Sequence, residues 1–524
     1  MPTRIAVPIM LLSDVAADRK TALAAVQAGA DLIEWRLDSA TPAAVDSLFS
    51  DPSVCRIPWI LTVRSKAEGG RFGGDESARL ALIRAAIRHR PEFLDLELRN
   101  WIANPQLAGY YRDLPKGDRP KLILSSHYFS GRPQNPSEIL AAIAAQPEAA
   151  VAKIAFTAAG LHHALDALDL YAALKSYPHL HGVFIAMGEH GAISRTLAGK
   201  YGAAFTFGIL PGGDSTAPGQ PSVGELQNIY RVKQQQSDWC VCGLVGWPVA
   251  QSVSPHMHNA AMAAAEFPGV YVRFPLPGDM GAFQQALDRL QADPQLNLRG
   301  LSITIPHKEH ACRFVKAHGG EIRGRDVGAI NTIVLRGSAP PTGLNTDAPG
   351  GLGALLGGTG WRPADLKGRR IAILGAGGAA AGLAAILAEH GCELVIYNRS
   401  LPRAQALSEQ IVRSGGICRA EELDGLQLAD IDVLIQCTPV GMYPKTDEMP
   451  VPENLPLRPG TVVMDTIYNP RRTKLLQWAA AHGGVCIEGV EMLVGQGALQ
   501  FQYFTGREAP TAIMRKAALQ ALGL

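Results

Sequence analysis

No excess of charge of either sign is present in this chain. Its 524 residues hold 49 Lys and Arg against 47 Asp and Glu, a formal net charge of +2. A surface that runs along nucleic acid or lies on an anionic membrane needs a stronger basic bias, so neither partner is expected. Long apolar runs are lacking too, and no stretch reaches the roughly 20 residues of a membrane-spanning helix. Cysteine is scarce: 8 residues, scattered, with only Cys240 and Cys242 close, as C-x-C. That spacing is neither a zinc ribbon nor a redox C-x-x-C, and no metal site is expected. Before the strand-like stretch Arg4-Ile-Ala-Val-Pro-Ile-Met-Leu11 there is no basic region, apolar core or cleavage site. A secretion leader is therefore not expected, and free thiols in a reducing cytoplasm are.

The length suggests about three domains. In residues 1–230 apolar, strand-like runs alternate with amphipathic helical stretches. The runs fall at residues 4–11, 31–38, 58–65, 93–99, 121–129, 151–157, 181–188 and 203–210. Helix-like segments between them include residues 14–29, 75–90, 136–146 and 161–177. Eight such repeats predict a (β/α)8 barrel. A doubly wound sheet is the alternative, but it rarely has so many equal repeats.

The run Val151-Ala-Lys-Ile-Ala-Phe156 sets one lysine among small and β-branched residues. A lysine at a strand end more often just reaches water. Burial, however, lowers an ammonium pKa, and an amine that can lose its proton can attack a carbonyl. Lys153 is thus a candidate Schiff-base former. Barrel enzymes carry their chemistry at the C-terminal strand ends. Those ends hold Glu34, Arg36 and Asp38, then Arg64, Glu97 and Arg99, then Ser125 and His127, then Lys153 and Met187. Together they predict a cationic mouth around a lysine and a histidine, suited to an anionic substrate with a carbonyl. His162, His163, His179 and His181 fall in helix or loop contexts and are read as solvated. His127 is one strand from Lys153 and can serve as acid and base. Lysine as carbonyl handle plus histidine as acid/base implies an aldolase, a dehydratase or a decarboxylase. The Gly- and Pro-rich loop 211–221 is read as a lid, and a closing barrel helix is expected over residues 222–233.

Motifs along the whole barrel, in order, resemble the type I 3-dehydroquinate dehydratase family. They are Glu34-Trp-Arg-Leu-Asp38, Leu61-Thr-Val-Arg-Ser65 with Glu68-Gly-Gly70, Ser125-Ser-His127, Ala152-Lys153-Ile154, Ile185-Ala-Met-Gly188, Ser194-Arg195 and Ala217-Pro-Gly-Gln220. The resemblance implies that Lys153 forms an imine with the C3 ketone of 3-dehydroquinate. It implies that His127 moves the C2 proton to the departing C1 hydroxyl, assisted by Glu68. Glu34, Arg36, Arg64, Arg195 and Gln220 would hold the substrate, with arginine on the carboxylate. Thr216 stands where the family usually has serine, and keeps the hydroxyl.

Residues 231–239 are polar and read as a short linker. Two serines, Ser252 and Ser254, precede a helix that opens at Pro255, a suitable place for a carboxylate. Plain N-capping is the simpler account of Ser254. Strand-like runs deliver Thr304 and Lys308, Asn331, and Asn345 with Asp347, which suggests a polar pocket with a Lys–Asp acid/base pair. Next, Arg369-Arg-Ile-Ala-Ile-Leu374 runs into Gly375-Ala376-Gly377-Gly378-Ala379-Ala380. This G-x-G-x-x-A, between strand and helix, predicts a dinucleotide site. The following strand ends in Asn398-Arg399-Ser400 with Arg403 behind it. Arginine where a ribose-reading acid would stand favours a 2′-phosphate, hence NADP over NAD.

These motifs, with Asp465 through Tyr468 and Glu491-Met-Leu-Val-Gly-Gln496, resemble the shikimate dehydrogenase family over the rest of the chain. The resemblance implies Lys308 and Asp347 as the acid/base pair. Ser252, Ser254, Thr304, Asn331, Tyr468 and Gln496 would hold shikimate or 3-dehydroshikimate. Thr438, Gly441, Met442 and Met492 join the cofactor set. Two departures are Ala348, where glycine is usual, and Gln436-Cys-Thr-Pro439. The expected architecture is α/β throughout. A barrel over residues 1–230 precedes a two-lobed unit with a substrate domain, 240–348 plus 491–524, and a Rossmann NADP domain, 349–490. The whole resembles enzymes in which the two activities are fused. The rival reading is quinate breakdown with an NAD-preferring second half. The serine pair leaves little room for the extra C1 hydroxyl of quinate, and Arg399 argues against NAD.

Overall fold

The computed structural model describes residues 2–12, 14–210, 220–324 and 328–523. Eight parallel strands form the N-terminal sheet: β1 (Arg4–Met10), β2 (Leu32–Arg36), β3 (Trp59–Thr62), β4 (Phe93–Glu97), β5 (Lys121–Tyr128), β6 (Ala149–Thr157), β7 (His181–Met187) and β8 (Phe205–Phe207). From β1 to β7 each pairs with the next in sequence, and β8 returns to β1. The seam between β7 and β8 is bridged where Ala204 N donates to Gly182 O at 2.9 Å. This is the expected barrel.

Strand periodicity of two explains what fills it. One residue from each strand, Ala6, Leu32, Ile60, Phe93, Ile123, Val151, Val183 and Phe205, joins a single apolar plug. Two residues further along most of the strands, the same face carries Glu34, Thr62, Asp95, Ser125, Lys153, Ile185 and Phe207. A polar layer therefore rests on a dry floor, at the end of the barrel where such folds carry chemistry.

The second sheet comprises β9 (Cys240–Gly246), β10 (Gly269–Pro275), β11 (Leu298–Ile303), β12 (Glu321–Arg323), β13 (Thr332–Arg336) and β14 (Ala339–Leu344). Its order is β10-β9-β11-β13-β14-β12, with β13 antiparallel to both neighbours. The third sheet comprises β15 (Arg370–Leu374), β16 (Glu393–Asn398), β17 (Ile417–Glu422), β18 (Val433–Gln436), β19 (Val462–Asp465) and β20 (Val485–Ile487). All its pairings are parallel, in the order β17-β16-β15-β18-β19-β20. That is the doubly wound order of dinucleotide-binding folds. The helices Gly489–Thr505 and Thr511–Ala521 pack back on Ser254–Ala264 through Met257, Ala261, Phe501, Phe504, Met514 and Ala518.

The joint differs from the expectation. The helix expected over residues 222–233 is present only as a short piece containing the π-helix Glu225–Ile229. Arg231 then takes φ +51°, which ends any helical run. Residues 231–239 are packed rather than loose. Arg231 donates to Gly269 O at 2.6 Å, and Gln235 donates to Thr196 O and Tyr230 O. Lys200 reaches Ser237 O and Trp239 O. Arg231, Lys233 and Gln235 are thus spent on backbone carbonyls, and apolar residues of the barrel and of the second sheet share one core.

Helices Asp347–Thr359 and Gly489–Thr505 cross at glycines. A Cβ on Gly350 would lie 2.5 Å from the Gln496 nitrogen, and one on Gly495 2.9 Å from Gly350 O. Gly350→Ala is expected to cost about 1–3 kcal/mol through overpacking. It should appear as a lower urea midpoint for the second half, with the barrel transition unmoved.

Two candidate active sites

The barrel site is a buried charge network. Lys153 Nζ lies 2.8 Å from Asp95 Oδ2 and 3.3 Å from Glu34 Oε1. Thr62 donates to the same Glu34 oxygen at 2.9 Å. Arg64 Nη2 is also 2.8 Å from Asp95 Oδ2, and Arg64 Nη1 reaches Ser125 Oγ at 2.7 Å. Ser125 donates onward to Asp95 Oδ1 at 2.6 Å. Burial alone would raise the Asp95 carboxyl, but Arg64 and Lys153 outweigh it and hold it well below the usual carboxylate range. Glu97 receives Ser65 N at 2.9 Å and is clasped by the buried Arg79.

His127 Nδ1 lies 2.9 Å from Glu68 Oε2, which also accepts from His127 N at 3.1 Å. Burial, then the cations Arg64 and Lys153, hold the imidazole well below its ordinary value. Burial and these cations all disfavour the charged ring. Burial pushes the Glu68 carboxyl up to about 7; Arg64 pulls against it, while Glu97 and Asp95 add to the rise.

Arg195 is 2 % exposed, and burial lowers it to about 10. Nη1 donates to Ala186 O at 3.1 Å, while Nε is buried and unpartnered. An anion suits such a group. Glu34, Arg36, Arg64, Glu68, His127, Lys153, Arg195 and Gln220 all line one cavity with Phe129, Met187 and Phe207.

Two expectations need correction. Arg99 is exposed on the helix Leu98–Ala103 and takes no part. The mouth is not simply cationic either, because Arg36 pairs with Asp38 at 2.5 Å and Arg64 with Asp95 and Glu97. Sequence reasoning missed Asp95 and Arg79. The signal for Asp95 was its place two residues before Glu97 on an inward-facing strand; Arg79 left none. Thr216 and most of the expected lid lie outside the described residues.

The second site lies where β11 and β14 end and β13 begins. Lys308 Nζ is 2.6 Å from Asp347 Oδ2. Asn331 Nδ2 donates to Asp347 Oδ1 at 2.8 Å and lies 3.5 Å from Gln496 Oε1. Asn331 Oδ1 accepts from Thr346 N and Thr332 Oγ1, both at 2.8 Å, so its orientation is set. Beneath it, Gln500 links Asn331 O to Ser302 Oγ. Thr304 is brought close by Ile303 N donating to Asn331 O at 2.7 Å. Ser252 Oγ lies 3.1 Å from Ser254 Oγ at the start of Ser254–Ala264. Tyr468 packs against the core under that helix.

The glycine turn after β15 fits a dinucleotide. Gly375 has φ +106°, and a Cβ there would press on Thr438 and Cys437. Gly377 and Gly378 are exposed, with nothing near a would-be Cβ, ahead of the helix Gly378–Glu389. Ala376 and Ala379 flank them. Such an open helix N-terminus accommodates phosphate. Asn398 donates to Ser400 O at 2.9 Å, which shapes the turn after β16 and leaves Arg399 and Arg403 exposed. Gln436 is buried and holds Thr438 N, Thr438 Oγ1 and Val440 O, so this departure from the usual residues rebuilds the loop internally. Gly441 takes φ +91°, Met442 is exposed and Met492 is buried against the Rossmann core.

The fold and these two sites define a fusion of a lysine-centred barrel lyase with a dinucleotide-dependent oxidoreductase. Residues 5–237 match the type I 3-dehydroquinase family. Residues 244–333 match the shikimate dehydrogenase substrate binding domain, 361–471 the shikimate / quinate 5-dehydrogenase family, and 489–519 the shikimate 5'-dehydrogenase C-terminal domain. The bifunctional 3-dehydroquinate dehydratase/shikimate dehydrogenase, chloroplastic, of Arabidopsis thaliana is 33% identical over 92% of this chain and 79% of its own length. The shikimate dehydrogenase (NADP(+)) of Methanopyrus kandleri is 41% identical over 54% of this chain and 96% of its own. A solved shikimate dehydrogenase in complex with NADP+ superposes with a TM-score of 0.50 at 35% identity, covering 55% of this chain and 97% of that one. The chain belongs to the family of bifunctional 3-dehydroquinate dehydratase/shikimate dehydrogenases. It is an enzyme of the shikimate pathway with both activities.

The raised Glu68 carboxyl makes a pH prediction. Its folded value of about 7 exceeds the ordinary 4.5, so it destabilises the barrel as pH rises from 4.5 to 7. Glu68→Gln should remove up to about 3 kcal/mol of that loss. Denaturant midpoints at several pH values should flatten across this window in the variant, with the two proteins converging near pH 4.

Proposed function

We propose that Lys153, His127 and Glu68 carry the dehydration, and that Lys308 and Asp347 carry proton transfer in the reduction. The convergence of Lys153 and His127 on one cavity, above a dry plug and beside Arg195 with its unpartnered Nε, carries this reading. Lys153 Nζ attacks C3 of 3-dehydroquinate, and the carbonyl oxygen leaves as water. The iminium draws electrons from the C2–H bond as His127 takes the proton. The C1–O bond then breaks, and His127 returns that proton to the leaving hydroxyl. Water hydrolyses the imine, freeing 3-dehydroshikimate and the lysine. Glu34, Arg36, Arg64, Arg195, Thr216 and Gln220 hold the substrate, with arginine on its carboxylate.

In the second half, NADPH supplies the hydride when bound. Gly375 to Ala379, Asn398, Arg399, Ser400 and Arg403 would hold its phosphates and ribose, and Thr438, Gly441, Met442 and Met492 would complete the cofactor site. Lys308 gives a proton to the carbonyl oxygen of 3-dehydroshikimate, and Asp347 orients it. Ser252 and Ser254 take the carboxylate; Thr304, Asn331, Tyr468 and Gln496 take the remaining polar groups. The domain limits that follow are 1–230, 231–239, 240–348 with 491–524, and 349–490. The cytoplasm is the compartment we assign. Eight free cysteines support it, and among the described residues no helix is long and apolar enough to cross a membrane.

A coupled assay with 3-dehydroquinate and NADPH tests the reading. Enone should appear transiently while NADPH falls. Lys153→Ala should abolish the enone and its borohydride-trapped adduct, yet still reduce added 3-dehydroshikimate. His127→Ala and Lys308→Met should each lower only their own half-reaction, by about 10²–10⁴-fold in kcat. Enone that accumulates with NADPH untouched would overturn the second half of the reading.

Arg399 gives a separate test. A charge-assisted contact to a 2′-phosphate is worth about 1.5–3 kcal/mol. Arg399→Ala should therefore raise the KM for NADPH about tenfold to a hundredfold, with the KM for NADH unmoved.

A further inference from the structure

The loop that carries Ser252 is held at both ends by contacts leading to the barrel. At its start the Trp247 ring stacks on His190, with centroids 5.0 Å apart and 16° between planes. His190 belongs to the turn Glu189–Gly191 after β7. Its Nδ1 lies 3.3 Å from Pro275 O, at the end of β10. At the other end of the loop, Arg273 of β10 donates from Nη2 to Ser252 O at 2.8 Å. The same guanidinium donates from Nη1 to the Tyr230 hydroxyl at 3.2 Å. Tyr230 closes the last turn of the barrel and is 3% exposed. Between these anchors Pro248, Ala250 and Gln251 are exposed, and Val249 alone is buried. Internal packing of the loop is therefore slight.

A carboxylate bound by two hydroxyls needs them at a fixed spacing. Ser252 Oγ is 3.1 Å from Ser254 Oγ and 3.2 Å from Ser254 N. Ser254 is fixed by its helix; Ser252 is fixed by the loop. We propose that the barrel is a positioning element for the dehydrogenase, holding Ser252 through the His190–Trp247 stack and the Tyr230–Arg273–Ser252 chain. This rests on the reading that Ser252 and Ser254 bind the substrate carboxylate. His190, Tyr230 and Arg273 act through the loop and touch no substrate.

The test uses the full chain carrying His190→Ala and Tyr230→Phe together, assayed with shikimate and NADP+. The KM for shikimate should rise about threefold to tenfold, as for loss of a hydrogen bond and a ring contact. The kcat, the KM for NADP+ and the dehydratase rate should hold within about twofold. His190→Phe, which keeps a stacked ring, should restore most of the affinity when paired with native Tyr230. An unmoved KM for shikimate overturns the proposal. So does a parallel fall in kcat, both KM values and thermal stability, which marks a general loss of packing. Ser252→Ala is measured alongside. If it raises the KM while the double variant does not, the serine reading stands and the positioning role falls. If Ser252→Ala changes nothing, both fall.

Discussion

One oxygen of Asp95 lies 2.8 Å from Lys153 and 2.8 Å from Arg64. All three side chains are buried, and each ion would cost several kcal/mol if left alone there. The barrel therefore does not isolate a lysine in an apolar pocket, as a reading of one strand suggests. It sets a lysine on a dry floor and matches it with carboxylates from two other strands. Arg64 then ties that layer to the one above through Glu97, and Glu97 recruits Arg79 from a helix outside the barrel. Removing any member strands another charge, so the network is held in one arrangement. The shape of the cavity and the stability of the barrel rest on the same contacts.

The second half solves the same problem with an amide at the centre. Asn331 accepts with its oxygen from Thr346 and Thr332, and donates with its nitrogen to Asp347. Asp347 in turn faces Lys308. Gln500 braces Asn331 from below by its backbone carbonyl. The amide is satisfied on both sides, so it cannot flip without breaking bonds it has already made. Gly350 and Gly495 let two helices close to backbone contact, which brings Gln496 to the same amide.

Much of this was legible because strands repeat every two residues and helices open on recognisable residues. Lys153, His127 and Glu34 were found at strand ends, since several barrel strands carry charge together at inward positions above an apolar plug. Gly375 to Gly378 were found because a strand, a glycine turn and a helix must follow one another in that order. Asp95 was passed over: it sits inside a strand, two residues before an acidic residue that drew attention first. Arg79 was invisible, because a helix arginine reads as solvated until the fold brings Glu97 beneath it. The joint was misread for a related reason. Glutamine and lysine in a connecting segment look like solvated linker, whereas Gln235 and Lys233 donate to backbone carbonyls of the barrel.

On the roles proposed for them, the two lysines sit in surroundings that would divide one residue type between two tasks. The Lys153 side chain is 5% exposed and Lys308 28%. An imine must form and persist without bulk water, so its lysine belongs under a closed layer with carboxylates at hand. A lysine that hands over a proton in every cycle must recover it, and partial access to water supplies it. Asp95 and Glu34 keep the first lysine in place from two directions. The second has one carboxylate, held by Asn331, and is the more exposed of the two. Exchanging these surroundings would leave both residues present and neither suited to its step.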